Sequence, residues 1–310
     1  MLKKIILIIT IISCALPMAA QETYLYAKRD TCDLFLDIYR PVPGSDTTFQ
    51  GMQKPAIMFA FGGGFVSGSR ADQYFLPWFD KLTAEGYTVI SIDYRLGMKG
   101  YQMGKGLIAT YKAAKQFKLA QQVGVEDVFS AVAFLAENKD ETGIDPWNIV
   151  LSGSSAGAII AMASEYDIVN GNTEGSGLPE GYNFKGVMSF AGAVISTDGA
   201  PVFKGEPCPI AMFHGTADKA VSYKHFGTIL RGNWGSSFFA SQFAKKGYPY
   251  TMYRFKDRTH DVASYMEVMW EKEKDFLEHD VMLGERRTVD EVIDDPSLPS
   301  WGNISLGDIY

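Results

Sequence analysis

Apolar positions along this chain recur at two periods. Short β-rich runs are separated by longer stretches in which apolar residues return every three or four positions. Residues 33–39 (DLFLDIY) alternate as a half-buried strand does. Residues 56–61 (AIMFAF) are continuously apolar, as strands covered on both faces are. Residues 87–94 (YTVISIDY), 148–153 (NIVLSG), 186–191 (GVMSFA), 209–214 (PIAMFH) and 249–255 (PYTMYRF) also read as strands. Helical spacing occupies 73–85, closed by Gly86, and 125–137, where Val128, Ala131, Val132 and Leu135 share one face. It returns in a stretch opening at Ser155, in 236–246 closed by Gly247, and in 263–277. Alternation of this kind predicts the α/β class, with a mostly parallel central sheet covered by helices on both faces.

Two segments depart from the pattern. Residues 97–122 separate a strand from the next helix and carry Gly100, Gly104 and Gly106 among Tyr101, Tyr111 and Phe117. They read as an insertion, either a lid or rim over a site or a surface excursion without consequence. Residues 284–310 hold Pro296, Pro299 and Gly302 among acidic residues and read as an extended surface tail. The expected organisation is a leader at 1–20, one domain at 21–283 and the tail.

The leader follows from charge and length. Lys3 and Lys4 precede an apolar run over 5–12, too short to span a bilayer, and small residues follow to Ala20 before Gln21. This is the pattern of a secretory signal peptide cut after Ala20. Ile11-Ile12-Ser13-Cys14 supplies the alternative, a lipoprotein anchored through Cys14. Cys32 and Cys208 then remain. Export permits a disulfide, but both cysteines are expected free and buried beside strands, and no spacing suggests zinc or redox chemistry. With 29 basic against 36 acidic residues the formal charge is −7, and no Lys/Arg cluster offers a footprint for nucleic acid.

Four short stretches carry chemistry. Gly153-Ser154-Ser155-Ala156-Gly157 is a G-x-S-x-G pentapeptide between a predicted strand and a predicted helix, the setting of a nucleophile elbow. A serine there stands on a strained turn at a helix N-terminus. Its hydroxyl needs a base. Of the four histidines, His225 and His279 sit in polar surroundings, His214 ends a strand, and His260 lies in a loop between the last strand and the last helix. His260 is the expected base. The acid that orients it is expected to be Asp218, in the loop after strand 209–214, with Asp257 as the rival. Asp261 adjoins His260 in sequence and cannot easily turn back onto its ring, and His214 is expected to shape the Asp218 loop. The run Phe61-Gly62-Gly63-Gly64-Phe65 lets backbone amides approach a developing oxyanion, with Gly63, Gly64 and Ala156 as the expected donors. No phosphate-loop pattern accompanies these glycines, and no metal or cofactor is expected.

Glycine loop, serine, acid and histidine in this order resemble the α/β-hydrolases of the esterase/lipase group that carry an HGGG loop. The likeness extends to the secreted carbohydrate esterases, such as acetyl xylan and feruloyl esterases. Ser91-Ile92-Asp93-Tyr94-Arg95-Leu96 is similar to the family's D-Y-R-L segment, and Gly143-Ile144-Asp145-Pro146 leads into the elbow as in the family. The resemblance covers about residues 33–280. It implies the α/β-hydrolase fold and a serine carboxylic-ester hydrolase working through an acyl-enzyme, with acetyl or feruloyl groups of plant polysaccharides as substrate class. Asp93 and Arg95 are by resemblance structural, forming an Asp–Arg interaction near the strand end. Phe61 stands where the family has histidine, which puts the geometry of the glycine loop in question. A serine peptidase on this fold usually brings a long propeller or cap, and a non-catalytic scaffold usually loses a triad residue.

Overall fold

The computed structural model describes residues 21–300 and residue 302. The expected leader, its cleavage site and Cys14 lie outside the described residues. Among those described, nine strands build the main sheet: β1 (Gln21–Lys28), β2 (Asp33–Tyr39), β3 (Ala56–Ala60), β4 (Val89–Ile92), β5 (Ile149–Ser154), β6 (Gly186–Phe190), β7 (Ile210–Gly215), β8 (Tyr250–Phe255) and β9 (Thr288–Ile293). Their order across the sheet is β1-β2-β4-β3-β5-β6-β7-β8-β9. β2 is antiparallel to both β1 and β4, and every later pairing is parallel.

Register decides which helix meets which face. Gly153 pairs with Ser189, and Ser154 pairs with Phe190, so Gly153 and Phe190 face opposite ways. On the Phe190 side lie helix α1 (Leu76–Ala84), whose Trp78 ring sits 6.4 Å from Phe190, and Phe213, stacked on Phe190 at 4.4 Å. Trp78 Nε1 also donates to Glu273 (2.9 Å) on the C-terminal helix Trp270–Asp275, joining those two helices on one face. On the Gly153 side lies the helix Ala156–Asn170, packed in turn against the long helix Leu107–Glu137. These are α3, α2 and, for Trp270–Asp275, α5; α4 is Ser236–Lys246. β3 to β7 are buried along their whole length, which is why their sequences read as unbroken apolar runs.

Several expectations need correction. α2 begins at Leu107, so most of the insertion read at 97–122 is regular helix and continues without a break into 125–137. Its first turns are exposed on nearly every side, so no buried stripe marks them in the sequence. α2 is long and apolar enough to cross a bilayer by length and composition, yet Ala120, Val128, Ala131, Val132 and Leu135 are buried inside the protein. The stretch 263–277 is not one helix. It holds a 3-10 turn at His260–Ser264, then α5, then a wide helical turn at Phe276–Met282. The first turn is pinned one residue at a time: Ser154 Oγ donates to the Ala263 carbonyl (2.7 Å) and the Tyr265 hydroxyl to that of Pro299. Within 284–310, β9 extends the main sheet beside β8 while alternating exposed and half-buried residues. Both cysteines are free, but only Cys208 is buried. Cys32 is exposed in the turn between β1 and β2, where the Arg29 amide bonds its carbonyl. Asp93 and Arg95 do not pair with each other: Arg70 takes Asp93 (2.6 Å), and Arg95 takes Asp127 (2.9 Å) and Glu126 (2.7 Å).

Candidate active site

The carboxyl ends of the parallel strands converge on one edge, where ligands of open α/β sheets bind. β3 leads into the glycine loop 61–65, β5 into Ser155, β7 into the loop carrying Asp218, and β8 into the loop carrying His260. Ser155 has φ 52° and ψ −113°, a conformation costly for a residue with a side chain. Its neighbours make it possible. A Cβ on Gly157 would fall 2.0 Å from the Ala60 carbonyl oxygen, and one on Gly153 would fall 2.3 Å from the Gly157 backbone. Only glycine allows β5, the turn and α3 to close this tightly. The Ser155 amide donates to the Phe190 carbonyl (2.9 Å), which ties the turn to β6.

The structure brings the three expected side chains into one chain of hydrogen bonds. Ser155 Oγ lies 2.8 Å from His260 Nε2, and His260 Nδ1 lies 2.7 Å from Asp218 Oδ2. All three residues are buried, yet each keeps a sliver of surface. Asp218 Oδ1 accepts the amides of Ala220 (2.9 Å) and Val221 (3.0 Å). Burial pushes the Asp218 carboxyl up, but hydrogen bonds from His214 and His260 overcome that and hold it well below the usual carboxylate range. The rivals lie elsewhere. Asp257 is an exposed turn residue at φ 56°, and Asp261 accepts the hydroxyls of Thr259 (2.8 Å) and Ser300 (3.3 Å).

His214 sits behind the acid. It is fully buried, with Nε2 3.1 Å from the Val221 carbonyl and 3.4 Å from Asp218 Oδ2. Both are acceptors, so Nε2 carries a proton. Nδ1 lies 2.8 Å from Ser236 Oγ at the start of α4. Sequence reasoning placed His214 against the Asp218 loop but missed Ser236, which lies 22 residues further on and carries no local signal.

The glycine loop lies against Ser155: a Cβ on Gly62 would come within 3.4 Å of Ser155 Cβ. Gly63 (φ 124°) and Gly64 (φ 63°) adopt backbone that side chains resist, and Phe65 follows at φ 64°. A Cβ on Gly63 would strike the Ser67 carbonyl at 2.2 Å. The loop is fastened at its first residue, Phe61. The Phe61 ring stacks on Tyr94 at 4.4 Å, and the Tyr94 hydroxyl donates to the Phe61 carbonyl (2.8 Å). Among the described residues no cluster of His, Cys, Asp or Glu could hold a metal ion.

Sheet order, crossovers and the elbow define the α/β-hydrolase fold, and solved structures agree. Thermogutta terrifontis esterase 2, phosphorylated by paraoxon, superposes with a TM-score of 0.58 at 25% identity, covering 85% of this chain and 95% of its own. Residues 15–166, just under half of the chain, match the model of the carboxylesterase family. Among curated relatives, secreted lipase 1 of Botryotinia fuckeliana is 27% identical over 56% of this chain, and chlorogenic acid esterase of Aspergillus niger is 30% identical over 46%. The chain matches only 28% and 26% of the length of those two proteins.

Proposed function

We propose that this protein is a serine carboxylic-ester hydrolase. The observation that carries the reading is the Ser155–His260–Asp218 chain, at 2.8 and 2.7 Å, standing on a strained elbow. His260 Nε2 takes the Ser155 proton as Oγ attacks the ester carbonyl carbon. Asp218 fixes the His260 tautomer with Nδ1–H toward the carboxylate and stabilises the imidazolium that forms. The oxyanion is held by the amides of Gly63, Gly64 and Ala156. His260 then returns the proton to the leaving alcohol, and water releases the acyl group by the same route in reverse.

The substrate side rests on likeness. The match to a chlorogenic acid esterase favours small acyl esters, and acetyl or feruloyl groups on plant polysaccharide or its fragments fit an exported enzyme. Export is supported by the leader pattern at 1–20 and by likeness to a secreted lipase. An intact set of three side chains in hydrogen-bonding register speaks against a purely binding scaffold. The test is release of p-nitrophenol from short acyl esters, together with labelling by a fluorophosphonate, in wild type and Ser155→Ala. Wild type should turn over and label, and the variant should do neither. Turnover retained in the variant would refute Ser155 as nucleophile. An ester panel from acetyl to feruloyl then sorts the acyl group.

A further inference from the structure

α2 runs antiparallel to the strand it precedes, so its N-terminus lies at the edge of the sheet where Ser155 stands. α2 packs on the body through Ala120, against the backbone of Gly97, and through Gln116, whose side chain donates to the Gly97 carbonyl (2.6 Å), with Phe117 against the core. From Gln116 to Leu107 the helix rises roughly 14 Å at 1.5 Å per residue. Beside it stands a hairpin, His225–Gly227 paired with Gly232–Gly235, whose second strand pairs with Ala193–Ser196. Helix and hairpin touch: the Arg231 guanidinium lies 4.4 Å over the Tyr111 ring. The hairpin tip is tied down by the Gly199 amide, which bonds the Leu230 carbonyl (2.7 Å).

This crest is apolar and unusually bare. Leu107 is 91% exposed, Ile229 86%, Ile108 75% and Phe226 68%. Bare aliphatic side chains on two elements that touch each other mark an interaction site. The charged side chains of the two segments that build it are all basic. No acidic residue occurs between Asp93 and Glu126 or between Asp218 and Asp257, in a chain whose formal charge is −7. Lys105, Lys112, Lys115 and Arg231 are exposed around the apolar tips. One acid stands beside them: exposed Asp198 adjoins Gly199, which bonds the hairpin tip, and accepts the Ser196 hydroxyl (2.7 Å).

We infer that this crest docks the protein on an anionic lipid surface, with the Ser155 edge turned toward it. Protruding aliphatic tips enter the acyl boundary while flanking lysines meet the headgroups. A carbohydrate partner would ask for exposed aromatic platforms, whereas here the tips are mainly aliphatic. The inference stands apart from the ester-hydrolase reading, because binding is measured without turnover.

The experiment is co-sedimentation of the full chain with vesicles of phosphatidylcholine alone and of phosphatidylcholine mixed with phosphatidylglycerol. Wild type should bind the anionic vesicles preferentially, and salt should weaken the binding. The exposed triple variant Leu107→Ser, Ile108→Ser, Ile229→Ser should bind about tenfold or more weakly. Lys105→Glu with Lys112→Glu should erase the preference for anionic vesicles, each cation contributing roughly fivefold. Unchanged thermal unfolding confirms that both variants fold. Three results would overturn the inference: no vesicle binding by wild type, equal binding by folded variants, or a concentration-dependent dimer that the serine variant disperses, which would make the crest a self-association surface.

Discussion

Exchanging Glu165 for glutamine removes a proton equilibrium and leaves the side-chain shape in place. Glu165 sits in α3, fully buried, with no cation bonded to it. Its Oε1 accepts the Cys208 amide (2.7 Å) and the Asn183 side-chain amide (3.4 Å), while Oε2 has no hydrogen-bond partner. Burial pushes the carboxyl from its ordinary 4.5 up to about 7, against the pull of those hydrogen bonds. The unfolded chain loses this proton near the ordinary value, but the native protein keeps it until about pH 7. Between the two values the native state holds more protons, so stability must fall as pH rises. Each unit is worth about 1.4 kcal/mol, so the window amounts to about 3 kcal/mol. Glutamine carries no such equilibrium, and whatever its buried amide costs is the same at every pH. Urea unfolding of wild type and Glu165→Gln at about pH 5 and about pH 8 isolates the effect. The variant should gain about 2 to 3 kcal/mol on wild type between the two conditions. Stability curves that run parallel with pH would refute the argument, showing that Glu165 ionises in the fold at no cost.

Two further substitutions probe the site. Asp218→Asn places an amide against His260 Nδ1 and favours the wrong tautomer, so kcat on a soluble ester should fall by about 10⁴-fold with KM little changed; a loss below tenfold would remove Asp218 from its role. Gly157→Ala drives a methyl group to 2.0 Å from the Ala60 carbonyl oxygen. Backbone must move, so thermal unfolding should drop by the equivalent of at least about 2 kcal/mol and fluorophosphonate labelling should fade, whereas an unchanged melting temperature would mean that the elbow is looser than its geometry.

How much of this was legible in the sequence depended on where each residue's partners lie. β2 and α4 carry their signals locally, in strict alternation or in a helix closed by glycine, and their observed bounds are those read from the pattern. The first half of α2 gave no such signal. Its glycines at 100, 104 and 106 mark the approach to a helix, and the exposed turns after them bury too little to show a period. β9 was hidden for a related reason: as an edge strand it contacts β8 on one side only, and Thr288–Ile293 alternates weakly among charged residues. For the candidate site, sequence motifs pointed to Ser155, Asp218 and His260, which the structure brings within hydrogen-bonding distance, because each follows the carboxyl end of a strand that itself reads clearly. The same motifs said nothing of Ser236, which meets its partner His214 across 22 residues by packing alone.

Phe61 sharpens this distinction between identity and geometry. As a departure from the family pattern it put the glycine loop in doubt, since a histidine there can bond the loop and phenylalanine cannot. The fold supplies the missing fastening from another strand: Tyr94, just past β4, stacks on the Phe61 ring and donates its hydroxyl to the Phe61 carbonyl. Gly68 completes the seat, for a Cβ there would fall 2.6 Å from the Phe61 ring. The acid loop is secured by the same logic. Asp218 has two backbone amides on one oxygen and two histidines facing the other, so its carboxylate has donors on every side and little freedom to turn. A side chain held that way fixes the His260 ring, and under the proposed ester hydrolysis that is the preorganisation an electrostatic contribution to catalysis requires.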